Sequence, residues 1–434
     1  MLQHPEYLWW LDKRRRDSGV RSTDELIESL AQFELTSSSL EPQVRYARFR
    51  RRELLRIYLR DIRRLATIAE VTEEISNLAD AILDSALKTA VREMDNRFGP
   101  PEETDEKGRT RSARFCIVAL GKLGSKELNY ASDIDLLFLY SAEGTTAGNG
   151  TRGQVTNREY FVKLAEYIVK LVGHQAGEGA AYRVDLRLRP HGTLGALALS
   201  LNDQVKYCQN DARPWERQVL IRSRACAGDV ELFKSFFGRV ENLIFSKSET
   251  VDTALANVRR SKERIDIEQV NRRGYDVKLG TGGIREIEFI AQALQLAYGG
   301  RDKWLRSPHT LISLARLADR RHISELELTE LAVGYEFLRR TEHVLQMENG
   351  LQTHAVPGDP DRRMLLARRL EFAGGNNFED ELAVHTANVH RTFSRVFGQA
   401  AETSASVVRS AGDDRSSEPV GQVERTRSYV LASI

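Results

Sequence analysis

Asp133 and Asp135 stand two residues apart in an apolar run, DIDLLFLY, which follows a first apolar run, FCIVAL, across the glycine-broken segment GKLGSKELNYAS. Side chains of a strand alternate faces, so carboxylates at i and i+2 point the same way while Ile134 and Leu136 point toward a core. Two fixed carboxylates repel each other unless a cation lies between them. A divalent metal carrying nucleotide phosphates satisfies that requirement. Gly124 and Ser125 add a second element, because a backbone amide and a hydroxyl at a turn bind phosphate oxygens without net charge. Taken alone, GKLGS is equally an ordinary turn, and the GxxxxGK[ST] order of a Walker A loop is absent.

A third acid lies downstream in AYRVDLRLRP, which predicts a strand over 181–190. Tyr182, Val184, Leu186 and Leu188 fall on one face, and Arg183, Asp185, Arg187 and Arg189 on the other. Beside the Asp133 strand, Asp185 would complete a carboxylate set and the arginines would clamp phosphate or carboxylate groups. A half-exposed antiparallel strand with a wet charged face has the same pattern, and the two readings stay open.

Elements that could position these residues come from the rest of the chain. With 434 residues, two or three domains are expected. Hydrophobic residues make up 41% and charged residues 29%, which excludes a disordered chain, and a net charge of +2 gives no global basic field for nucleic acid. No run of about 20 apolar residues predicts a membrane span. Cys116, Cys208 and Cys226 have neither disulfide nor metal-ligand spacing, so a cytoplasmic location is expected.

Four regions are read: an N-terminal helical layer (1–98), a sheet with helices (99–240), a C-terminal helical region (241–400), and a tail (401–434) with little periodicity. Residues 99–114 read as a loop, and 197–201 and 219–225 as further strands of a small mixed sheet. Long helices are expected at 250–272, 284–298, 308–317, 325–346, 362–372 and 379–397. Arg48, Arg50, Arg51, Arg52, Arg56, Arg60, Arg63 and Arg64 form either a salt-bridged helix face, which is favoured, or a phosphate-binding one. Gly280, Gly282 and Gly283 precede a helix start at IREIEF that is either an anion site or a plain helix start. His343 and His354 lack partners at metal spacing and read as surface or capping residues.

Three segments, GKLGSKELNYASDIDLLFLY, AYRVDLRLRPHG and KLGTGGIREIEFIAQALQLAYGGRD, together resemble the glutamine synthetase adenylyltransferase/adenylyl-removing enzyme family, with LRRTEHVLQMENGLQTH continuing the likeness. NYASDID and GGIREIEF are similar to its N-terminal, adenylyl-removing half. The resemblance implies a predominantly helical α+β chain: a polymerase-beta-type nucleotidyltransferase mixed sheet flanked by helices, followed by a helical bundle. It implies that Asp133, Asp135 and Asp185 are catalytic and bind Mg2+, that Gly124 and Ser125 hold phosphates, and that Arg183, Arg187 and Arg189 hold phosphate or the AMP phosphoryl group. The implied reaction is phosphorolytic removal of AMP from a tyrosine of glutamine synthetase, giving ADP. AMP transfer from ATP to the synthetase is the alternative, and a non-catalytic fragment binding the synthetase or a PII-type signal protein is the second. The chain begins at HPEYL, later than the family, and shows no second SDxD strand after Gly398, so it is expected to be one half of such an enzyme.

Overall fold

The computed structural model of the chain describes residues 4–13, 19–105, 107–175, 177–269, 274–349 and 352–408. Two units divide it: residues 1–212 with 223–240, and residues 213–222 with 241–434. In the first unit, α1 (Glu6–Lys13), α2 (Thr23–Thr36), α3 (Pro42–Ile62) and α4 (Ile68–Phe98) precede the strands. Thr67 and Glu70 form a capping box that starts the 31-residue α4, and Gly99, at φ +76°, ends it. The α3 arginines resolve toward the salt-bridged reading. Arg56 and Arg60 both bind the buried Glu74, and Arg52 lies 3.0 Å from Glu53.

Residues 99–114 are not a simple loop. They form a hairpin of β1 (Pro101–Thr104) and β2 (Thr110–Ser112), closed by Asp105, which accepts from the Lys107 and Arg109 amides. Glu103 and Arg111, opposite in register, pair at 2.7 Å, a cross-strand charge pair invisible to hydrophobic periodicity. The main sheet contains β3 (Phe115–Leu120) and β4 (Ile134–Tyr140), every residue of which is buried. They pair antiparallel with Leu120 opposite Asp135, and a four-residue helix, α5 (Gly121–Gly124), leaves the end of β3.

After β5 (Thr145–Thr146), which pairs with β1, α6 (Asn157–Gly173) carries the chain back to β6 (Val184–Asp185) and β7 (Ala198–Ser200). Both lie parallel to the same edge of β4. The predicted strand over 181–190 is thus corrected to two residues. Asp185 accepts from the Arg187 amide at 2.9 Å, and His191 and Gly192 both have φ of 58°, so the chain turns where alternation predicted extension. Helix α7 (Leu201–Asn210) follows. A second correction falls at 219–225: Pro214 presets the first turn of α8 (Pro214–Ile221), and the strand β8 (Arg224–Gly228) begins only afterwards, antiparallel to β3. The five-stranded mixed sheet runs β6-β4-β3-β8, with β7 beside β4.

Helix α9 (Val230–Ile244) leads on. The second unit is helical, with α8 and then α10 (Val251–Gln269), α11 (Ile284–Tyr298), α12 (Thr310–Asp319), α13 (Glu325–Asn349), α14 (Pro360–Arg369) and α15 (Gly375–Val408). Helix α15 extends through Val408 into the stretch read as a tail, of which 409–434 lies outside the described residues. The start of α11 is a plain one: the amides of Gly283, Ile284, Arg285 and Glu286 donate to the carbonyls of Gly280, Val277, Lys278 and Gly283. His343 is fully buried, not a surface residue. It lies with Arg339, Glu342 and Gln346 on one face of α13, a buried polar stripe. His354 stands 3.0 Å from Glu342. Among the described residues no helix is long and apolar enough to cross a membrane.

Candidate active site

Register builds the site. Asp135 of β4 is paired with Asp185 of the parallel neighbour β6, so the two side chains lie side by side on one face. Asp133 precedes β4 by one residue, and its neighbour Ile134 donates to the Arg183 carbonyl at 2.9 Å. All three carboxylates therefore stand where β4 begins, beside the point at which β3 passes into α5. Asp135 and Asp185 are buried, at 5% and 8% exposure, whereas the Asp133 side chain is 29% exposed.

Arginines attend two of the acids. Arg183 binds Asp133 through Nε and donates to the Ala131 carbonyl at 3.0 Å. Arg187 grips Asp185 with its amide and with Nε, each 2.9 Å from Oδ1, while its guanidinium also reaches Oδ2. Arg189 is directed elsewhere. Its guanidinium closes the following turn on the carbonyls of Leu186, Thr193 and Gly195, and burial pulls its pKa down against the pull of Asp185.

Gly124 and Ser125 lie in the turn after β3 and are buried. The Ser125 hydroxyl is 2.9 Å from the Glu127 carboxylate and 3.2 Å from the Gly121 and Lys122 carbonyls, so in this structure it serves its own turn. Lys126, at φ +61°, sends its ammonium 2.6 Å from Asp80 on α4. Burial lowers its pKa despite that carboxylate.

Among the described residues no three His, Cys, Asp or Glu side chains converge at metal-ligand distance. The donor chemistry nevertheless fits magnesium, a hard cation that keeps several waters and takes one or two protein carboxylates plus substrate phosphates. Asp135 with Asp185 or Asp133 supplies that number where β4 begins.

Alternation and spacing gave no sign of the residues that fix the approaches to the acids. Glu178, before β6, gathers Arg48 at 2.8 Å, Arg51 and, at 3.1 Å, His4. Arg50 donates to the Tyr130 carbonyl at 2.8 Å and lies 4.6 Å from the centre of the Tyr182 ring. The α3 arginine run was the visible signal, but its partners are remote in sequence.

A family profile described as glutamate-ammonia ligase adenylyltransferase matches residues 1–238, and one described as GlnD PII-uridylyltransferase matches residues 254–397. Among similar proteins are bifunctional glutamine synthetase adenylyltransferase/adenylyl-removing enzymes. That of Nitrosococcus oceani is 36% identical over 375 residues, covering 86% of this chain and 38% of the relative. That of Nitrosomonas europaea is 38% identical over 357 residues, covering 80% and 37%. The Pseudomonas aeruginosa protein is 36% identical over 356 residues, covering 81% and 35%. The chain thus spans well under half the length of these relatives.

Proposed function

Because the chain belongs to the glutamate-ammonia ligase adenylyltransferase family, a family of nucleotidyltransferases, we propose that its first unit removes AMP from an adenylylated tyrosine of glutamine synthetase by phosphorolysis. The observation that carries this reading is the register of Asp135 with Asp185 at the sheet end where Asp133 also stands. Inorganic phosphate attacks the α-phosphorus, the bond from phosphorus to the tyrosine oxygen breaks, and that oxygen takes up a proton. The products are ADP and free tyrosine. Asp133 and Asp135, with Asp185, would hold Mg2+, which when bound neutralises charge on the reacting oxygens.

This chain's own groups do the rest. Arg183, whose pair with Asp133 is more than half exposed on the arginine side, can turn its guanidinium to a phosphate oxygen. Arg187 offers a planar fork suited to the same task, and Asp185 would assist proton movement at the tyrosine oxygen. Support for the removing direction comes from the likeness of NYASDID and GGIREIEF to the N-terminal half of the family's enzymes. The profile's description favours a second reading, AMP transfer from ATP to the synthetase, since one carboxylate set serves in-line displacement in either direction. Either reading would put the chain in the control of nitrogen assimilation in the cytoplasm, with a PII-type signal protein as a candidate partner to be tested.

The test supplies the full chain with adenylylated synthetase, Mg2+ and phosphate. ADP release is expected, and Asp135→Asn is expected to reduce it by about three orders of magnitude. A folded chain that releases no ADP, yet liberates pyrophosphate from ATP with unmodified synthetase, would transfer the assignment to adenylylation. Binding of the synthetase without either product would leave a non-catalytic role.

A further inference from the structure

The two segments that carry the acids meet through very little sheet. β6 has two residues, and its ladder with β4 consists of Ile134 with Val184 and Asp135 with Asp185. So short a ladder cannot by itself hold two carboxylates at fixed separation. A third support is needed, and α3 provides it.

Tyr130, three residues before Asp133, is held by α3 at three points: its carbonyl accepts from Arg50, its ring stacks on Tyr58 at 4.3 Å between centroids, and its hydroxyl donates to Asp61 at 3.0 Å. Tyr182, three residues before Asp185, lies under the guanidinium of the same Arg50. Both tyrosines are buried, at 2% and 3% exposure, so the contacts made through Arg50 are shielded from water. In the same turn of α3, Arg48 and Arg51 hold Glu178, further back on the approach to β6.

We infer that Arg50 is a positioning residue for the carboxylate site: it couples the approach to Asp133 and Asp135 to the approach to Asp185, and so sets the distance across which those acids share a divalent cation. The inference rests on the proposed metal-dependent phosphorolysis but is tested separately from it. The contacts of Arg50 are to the two tyrosines and not to the three acids. Its effect passes through Tyr130 and Tyr182, and a lysine, which keeps a donor for the carbonyl and a cation for the ring, should replace it in large part.

The experiment titrates MnCl2 into the full chain, following free Mn2+ by electron paramagnetic resonance, for wild type, Asp135→Asn, Arg50→Ala, Arg50→Lys and Tyr182→Leu, with melting curves and phosphorolysis kinetics beside it. Arg50→Ala should weaken Mn2+ binding about tenfold and lower kcat by about 10- to 100-fold, with KM for adenylylated synthetase changed less than about threefold. Arg50→Lys should recover most of both. If Arg50→Ala does not fold, Tyr182→Leu carries the test, with the same direction and a smaller size. A folded Arg50→Ala that binds Mn2+ as wild type does, or a lysine variant no better than alanine, would overturn the inference while leaving the site standing. Wild type that binds no Mn2+, or Asp135→Asn that binds it equally, removes the metal site and the inference with it.

Discussion

Guanidinium–carboxylate pairs occupy the heart of both units, and their surroundings make them different devices. At the sheet end of the first unit, Arg183 and Asp133 are 54% and 29% exposed. In the second unit Glu288 stands among Arg222, Arg285 and Arg339, at 3.1–3.3 Å, with every side chain at 2% exposure or less. Water screens the first pair, which contributes about 0–1 kcal/mol and can trade its partner for a ligand. The second cluster has no solvent to fall back on. Burial and the neighbouring cations pull the Arg285 pKa down, while Glu288 opposes them. The same two functional groups are thus exchangeable in one unit and permanent in the other, and exposure decides which.

Breaking the permanent cluster should have the largest effect. Glu288→Gln removes the carboxylate that three buried arginines share, and a loss of about 3–5 kcal/mol is expected in urea denaturation, with Mn2+ binding by the first unit unchanged. A variant that melts with wild type would erase the contrast. Next comes Arg187→Gln, which frees Asp185 from a multidentate, mostly buried contact. Nucleotide-free Mn2+ binding should tighten by about tenfold while phosphate-dependent ADP release falls, and unchanged Mn2+ binding would place Arg187 among the permanent pairs.

Glu178→Gln is intermediate between the two types, since the Glu178 side chain is 15% exposed and is held by His4, just before α1, and by Arg48 and Arg51 of α3. Burial alone would raise its pKa, but the hydrogen bonds from His4, Arg48 and Arg51 outweigh burial and lower it. With a depressed folded pKa, the stabilisation is complete above the ordinary carboxylate value and is lost as pH falls through the folded one. The variant should melt about 2–4 °C below wild type at neutral pH, and the gap should close in acid below about pH 4. A gap that persists there would show packing, not charge, at work. Arg183→Gln is the smallest: nucleotide-free Mn2+ binding should change by less than about fivefold, and the difference should fade as salt is raised.

These contrasts also mark what could be read from the sequence. Phe115–Leu120 and the run after Asp133 announced themselves as strands because the first is apolar throughout and the second is apolar but for Asp135, and α11–α14 did so through their period. Adjacent register of Asp135 and Asp185 was only one of two readings, since alternation specifies a face and not a neighbour. The strand over 181–190 failed because Asp185 folds the chain back through a side-chain bond that no periodicity records. His343 was misplaced for a related reason. The inward face of α13 carries Arg339, Glu342, His343 and Gln346 at i, i+3, i+4 and i+7, a core pattern written in polar residues. Arg50 lay in plain view within a basic run, yet its partners stand 80 and 132 positions away.

The parallel pairing of β6 with β4 also orders events in time. A chain that has left the ribosome as far as Tyr140 holds β3, α5, Asp133 and Asp135, but Asp185 waits until α6 has been made and the chain has returned. Closing so long a crossover is slow compared with forming the β3–β4 pair. Divalent-cation affinity should therefore appear later in refolding than the β3–β4 pair, which makes Mn2+ a reporter for the docking of β6.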